Sequence, residues 1–218
     1  MHLRYCILRK GNAIMLEGSF PIQIIERTWK LQHELDLIGE DSVVLNDIAT
    51  VFYGIPKMIN EIRIIVSGND VKGIVNALGY VLGVYSYSDQ LIEILRKKGS
   101  VAINPVTIPV VYIVLAKNDI EYKCIHNKLT IDIMGYSISI PRLEEYISYM
   151  ISQEAQYPYI VDAIALAILH SSRINVDRLV RNGVDKEMLC KLINSIGESA
   201  STFYELENLF KKAKDIYC

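Results

Sequence analysis

Residues 41–66 read DSVVLNDIATVFYGIPKMINEIRIIV. Ser42-Val43-Val44-Leu45 is a short apolar run and reads as a buried strand. Asn46 and Asp47 follow, and both are good helix caps. Residues 48–53 then fit a turn and a half of helix, stopped by Gly54 and Pro56. Residues 61–66 read as a second strand that alternates in part, Ile62, Ile64 and Val66 against Glu61, Arg63 and Ile65. Strand, short helix and strand in quick succession point to a mixed α+β fold.

The flanking sequence extends this pattern. Residues 3–17 read as two strands joined at Lys10-Gly11-Asn12, a hairpin signal. Phe20-Pro21 opens a helix that runs to Leu37, with Ile24, Ile25, Trp29, Leu31 and Leu35 as its apolar face and the sole tryptophan as a core anchor. Downstream, residues 67–70 form a turn and cap, and residues 71–82 and 89–98 read as helices. Val110-Val111-Tyr112-Ile113-Val114-Leu115 is the clearest central strand of the chain. Residues 121–126 and 129–134 are expected to pair as a hairpin across Asn127-Lys128, with one more alternating segment at 136–140. From Arg142 the pattern is helical: Leu143, Tyr146, Ile147, Met150 and Ile151 form an amphipathic stripe. Residues 159–170 are apolar almost all round, with Asp162 among them as a cap or a satisfied polar group. Residues 175–182 and 185–195 read as shorter helices, and Thr202-Phe203-Tyr204-Glu205 as the capping box of a last one.

Composition narrows the function. The chain has 218 residues, 51% of them hydrophobic, and a mean hydropathy of +0.22. Its longest apolar stretches are still too short to cross a bilayer. Arg4, Arg9 and Lys10 interrupt any secretory h-region, so the expected location is cytoplasmic. With 23 basic and 25 acidic residues the net charge is −2, which supplies no global drive toward nucleic acid. The basic clusters at 96–98 and 211–214 suit helix C-termini. Cys6, Cys124, Cys190 and Cys218 lack paired spacing, which argues against a disulfide framework and for a reducing compartment. Cys124 and His126 lack the second pair that a structural zinc needs. Abundant Ile, Tyr, Lys and Glu with little Gln has a thermophilic cast.

The layout of residues 41–66 resembles the opening of the nucleotidyltransferase superfamily, in the minimal subgroup of toxin and abortive-infection systems, written roughly G-G-x-A then h-G-x-x-R-x-T-x-D-h-D. The matching residues are Asn46-Asp47-Ile48-Ala49, then Tyr53-Gly54 through to Glu61-Ile62-Arg63, and the interval 48–60 has the length the pattern requires. Thr130-Ile131-Asp132-Ile133-Met134 fits the later strand that brings a third carboxylate. Residues 138–145 fit the proline- and glutamate-bearing loop beyond it. The resemblance covers roughly residues 40–170 in three patches. It implies a mixed β-sheet flanked by helices, divided as an N-terminal hairpin and helix (1–40), a nucleotidyltransferase-like α/β core (41–140) and a helical C-terminal region (141–218).

The same resemblance assigns roles, position by position. The glycines that let backbone N–H groups cradle a triphosphate fall on Asn46 and Asp47, and the paired Mg²⁺-holding aspartates fall on Glu61 and Arg63. Glutamate still ligates a hard cation, whereas arginine has no lone pair to give and repels the metal. Asp47 would set a carboxylate against the triphosphate. The reading that results is a degenerate nucleotidyltransferase-like protein that binds a protein or nucleotide partner, with Arg63 and Lys57 able to ion-pair with Glu61 or Asp132 in place of a cation. An alternative is an active, divergent, Mg²⁺-dependent enzyme attacking the α-phosphate of a nucleoside triphosphate with a hydroxyl acceptor. There Glu61 and Asp132 would be the catalytic metal ligands, while Asn46, Asp47, Lys57 and Arg63 would line the phosphates. A third reading sets the resemblance aside for an oligomerisation or docking module, which the apolar excess and 14 tyrosines suit.

Overall fold

Alternation in EIRIIV puts Ile62, Ile64 and Val66 on one side of a strand, and all are fully buried in the computed structural model, together with Ile65. The described residues are 4–9, 12–17, 22–84, 88–103, 109–153, 157–200 and 204–218. They divide into two units, Met1–Pro141 and Arg142–Cys218.

In chain order the first unit holds β1 (Arg4–Arg9), β2 (Asn12–Glu17), α1 (Ile22–Leu37), β3 (Ser42–Leu45), α2 (Asn46–Phe52), β4 (Glu61–Val66), α3 (Val71–Leu82), α4 (Ser88–Lys98), β5 (Ser100–Ile103), β6 (Val110–Leu115), α5 (Asp119–His126), β7 (Leu129–Ile133) and β8 (Tyr136–Ile140). Among the described residues, β3, β4, β6 and β5 form a four-stranded sheet in that order, while β1–β2 and β7–β8 are two-stranded hairpins. The central β4–β6 pairing is parallel and its flanking pairings are antiparallel, so the sheet is mixed. Register aligns Val44, Ile64, Ile113 and Val101 across all four strands, and each is buried. That row is one face of the core; at roughly 1.5–3 kcal/mol per buried large aliphatic side chain it is a principal source of stability.

Polar side chains then fix how helices and turns join the sheet. Glu40, 2% exposed, accepts from Ser67 Oγ, Gly68 N and Asp70 N and so shapes the turn between β4 and α3. Asp70 in turn caps α3 through Lys72 N. Gln32, 3% exposed on α1, meets both backbone groups of Ser139 on β8, accepting at 2.9 Å and donating at 3.0 Å.

Three expectations need correction here. Trp29 is half-buried, stacked on His33 at 5.0 Å and tilted on Tyr136 at 5.5 Å. The buried stripe of α1 is instead Ile25, Thr28, Leu31, Gln32 and Leu35, because Thr28 and Gln32 find partners in Ile24 O and Ser139. Residues 121–126 form helix α5, not a strand. Asn118 accepts from Glu121 N while Glu121 accepts from Asn118 N, and this reciprocal cap stabilises the helix start. Glu121, Cys124 and Ile125 then share its buried face. With that segment helical, β7 pairs with β8, from Leu129 opposite Ile140 to Ile133 opposite Tyr136.

The second unit holds α6 (Leu143–Ser152), α7 (Tyr157–Leu169), α8 (Val176–Arg181), α9 (Lys186–Ala200) and α10 (Tyr204–Tyr217). The expected capping residues Thr202 and Phe203 lie outside the described residues. Tyr146, Ile147 and Met150 are buried as the stripe predicts. Glu145, 1% exposed, accepts from Arg178 Nε at 2.6 Å and joins α6 to α8. The expectation of unpaired cysteines fails: Cys190 and Cys218 are bonded, with their Cα atoms 5.3 Å apart. Their sequence separation of 28 gives no hint of this, because only the packing of α9 on α10 brings them together. Closing a loop of that length stabilises the folded chain by about 3–4 kcal/mol in the chain-entropy picture.

Among the described residues no helix is long and apolar enough to cross a membrane.

Gln32→Ala leaves both Ser139 backbone groups without their partner and is expected to cost about 1–3 kcal/mol, read from urea unfolding. Tyr217 is 1% exposed and donates to Ala167 O at 3.2 Å, and burial, aided by the Glu144 carboxylate, pushes its phenol pKa far up. A pKa raised on folding gives stability that is complete below the unfolded value of about 10 and is lost as pH rises above it. Stability should therefore fall above about pH 10, and less steeply in Tyr217→Phe.

Candidate functional site

Glu61 and Arg63 are two residues apart on β4 and so share the face opposite Ile62 and Ile64. Register places Leu45 of β3 and Tyr112 of β6 on either side of Arg63. The guanidinium lies 4.8 Å from the centroid of the Tyr112 ring, a cation–π contact dictated by the parallel pairing. From that position Arg63 donates to both carboxylate oxygens of Glu61, Nε to Oε1 and Nη2 to Oε2, each at 3.2 Å. Asn46 Nδ2 donates to the same Oε1. Three of the roughly four acceptor sites of the Glu61 carboxylate are thus engaged by protein groups.

Asn46 opens α2 with φ of +51°, the left-handed region where asparagine is tolerated and glycine favoured. This is the position at which the resembling pattern carries its first glycine. Asp47, next to it, does not cap its own helix, contrary to expectation; α2 has no side-chain cap bond. Its Oδ2 accepts from Asn60 N at 2.8 Å and Glu61 N at 3.2 Å, and its Oδ1 meets Lys57 Nζ at 2.9 Å. At 7% exposure the carboxylate clasps the start of β4 to the start of α2. Lys57, only partly exposed, supplies the charge that lets Asp47 stay buried.

The structure brings Asn46, Asp47, Lys57, Glu61 and Arg63 together, while Asp132 is on a strand that hydrogen-bonds to β8 and not to their sheet, although β8 itself packs against β3. Asp132 lies on β7, outside the four-stranded sheet, where Leu45 and Ile64 were expected to have it as a strand neighbour. It is exposed, and its Oδ1 accepts from Gly135 N at 3.2 Å, shaping a hairpin turn in which Met134 and Gly135 both have positive φ. The strand beside β4 presents Tyr112 at the level of Arg63 instead. Sequence reading missed that residue; its signal was a lone aromatic in an aliphatic strand.

Chemically the site is two carboxylates matched by two cations. Mg²⁺ asks for several oxygen ligands in octahedral array, and this donor set does not fit it. Glu61 is already bound by Arg63 and Asn46, Asp47 by Lys57 and two backbone N–H groups, and Arg63 places a positive charge where the second acid would stand. Among the described residues no group of three or more His, Cys, Asp or Glu side chains is arranged to hold a metal ion.

No family model matches the sequence, and no curated protein matches it either. Among solved structures, the chain is similar to an antigenic nucleotidyltransferase-like protein from Paracoccidioides brasiliensis, at 13% identity and a TM-score of 0.42 over 88% of this chain and 94% of that one. It is also similar to ANT(2")-Ia, solved with adenylyl-2"-tobramycin, at 11% identity and a TM-score of 0.36 over 90% and 99% of the two chains. At these levels of likeness, the reading of the site rests on its own residues.

Arg63→Ala leaves the half-buried Glu61 carboxylate without its cation and is expected to lower stability by about 1–3 kcal/mol. Arg63→Lys keeps the charge but loses the fork and the stack, and should recover only part. Adding Glu61→Gln to Arg63→Ala should also restore part of the loss, because it removes the stranded charge; thermal unfolding of the four proteins checks the series.

Proposed function

We propose that this chain is a nucleotidyltransferase-like protein whose catalytic position is closed by internal ion pairs, and that it acts by binding a nucleotide or protein partner. The order and spacing of the motif residues from Asn46 to Arg63 support the scaffold, as does a left-handed Asn46 where the pattern has glycine. The observation that carries the loss of transfer is the two-pronged Arg63–Glu61 pair. A metal-holding pair of acids works by leaving lone pairs open to the cation and the triphosphate. Here the second acid position is itself a cation that uses up the first. The cytoplasm is the proposed location, and the minimal toxin-like subgroup the proposed affiliation.

What remains available for recognition is a semi-open polar face. Arg63, Glu61, Lys57 and Tyr112 are all partly exposed. A phosphate would have to draw Lys57 from Asp47 or Arg63 from Glu61, exchanging one ion pair for another. This limits nucleotide affinity and favours a partner whose own carboxylates or amides join the network without breaking it.

Titration calorimetry of the four ribonucleoside triphosphates with Mg²⁺, alongside an assay for released pyrophosphate, tests the reading. The expected result is no metal-dependent turnover with any nucleotide by the natural protein. Turnover that Glu61→Gln abolishes would overturn the reading and establish a divergent enzyme. Metal or nucleotide binding that emerges only in Arg63→Asp would identify arginine as the residue that closed the site.

A further inference from the structure

The second unit contains a covalent link that is independent of the site on β4. Helices α9 and α10 are consecutive and pack on one another, and Cys190 near the start of α9 is bonded to Cys218 just past the end of α10. The bond therefore closes the open end of a helical hairpin. Cys218 is exposed and Cys190 half-buried, so one sulfur of the pair is open to attack from solvent. Cys124, by contrast, lies outside that bond and is fully buried.

Two further observations bear on what the bond can do. Asn194 lies one turn beyond Cys190 on α9, and its Nδ2 points at both sulfurs, 3.4 Å from Cys190 Sγ and 3.8 Å from Cys218 Sγ. An amide donor in that place stabilises a thiolate left on Cys190. The end of α10 is also held without the disulfide: Ala213 and Tyr217 are buried, and the Tyr217 hydroxyl donates to Ala167 O on α7. Reduction would then free the end of the hairpin locally while the unit stays folded.

We propose that Cys190–Cys218 is a thiol–disulfide exchange site, a reversible modification made and unmade by a small-molecule thiol of the glutathione class. The external thiolate attacks the exposed Cys218 Sγ, a mixed disulfide forms there, and Cys190 departs as a thiolate received by Asn194. A second external thiolate attacks the external sulfur of the mixed disulfide and releases Cys218. Two external thiols are oxidised to one disulfide, and the protein disulfide takes up two electrons and the two protons they give up. The reverse reaction recloses the hairpin.

The test uses the full natural chain in native buffer. It is equilibrated with graded mixtures of reduced and oxidised glutathione, alkylated, and mapped by peptide mass spectrometry. Cys190 and Cys218 should become labelled together and reversibly as the buffer turns reducing, with Cys124 unlabelled throughout. Asn194→Ala should slow reduction several-fold while the oxidised protein keeps its circular dichroism spectrum. Labelling of both cysteines after full equilibration with oxidised glutathione would overturn the bond itself. Resistance to reduction until denaturant is added would overturn exchange and leave an inert staple. An Asn194→Ala protein reduced at the natural rate would remove Asn194 from the step.

Discussion

The parallel pairing of β4 with β6 is the constraint on which the first unit depends. It sets Ile64 beside Ile113 on the buried face and, by the same register, Arg63 beside Tyr112 on the other. A strand has only two faces, so the core and the site cannot be adjusted separately: a slip of one residue would bury Arg63 and expose Ile64. The antiparallel pairing of β3 extends both rows by one residue each, with Val44 in the core row and Leu45 beside Arg63.

From that register the polar chemistry follows in sequence. Arg63 is held over Tyr112, which aims its fork at Glu61 two residues back on the same face. Glu61 in turn receives Asn46 from the start of α2, and the neighbouring Asp47 receives the backbone N–H groups of Asn60, just before β4, and of Glu61, its first residue. The short helix and the strand are thereby stitched at two adjacent residues, and Lys57 balances the second carboxylate. This is a mutually satisfied network in which each charge has an opposite within reach. Its members are occupied with one another.

Much of this was legible in the chain. Ser42–Leu45, Glu61–Val66 and Val110–Leu115 announce themselves as strands because apolar runs of that length have few other uses, and the short helix between the first two is bounded by Gly54 and Pro56. The Arg63–Glu61 pair was among the pairings that i, i+2 spacing on a strand allows. Residues 121–126 were misread because EYKCIH alternates like a strand, while the deciding signal, Asn118 with Glu121 three residues on, lies at its edge. Trp29 was misread because size alone suggested the core, whereas α1 turns Thr28 and Gln32 inward where β8 satisfies them.

Local pattern by itself determined three of the four strands of the central sheet, β3, β4 and β6, most of the helices and the charge content of the 46–63 segment, since those depend on periodicity and on neighbours within a few residues. Only the tertiary structure decided that Asp47 ties two elements together, that Asp132 serves a hairpin turn on another sheet, that Tyr112 backs Arg63, and that Cys190 meets Cys218. Each of those is a contact between residues on different elements. Their proximity is set by strand register and helix packing, which are properties of the folded chain as a whole and leave no mark in the spacing of the residues concerned.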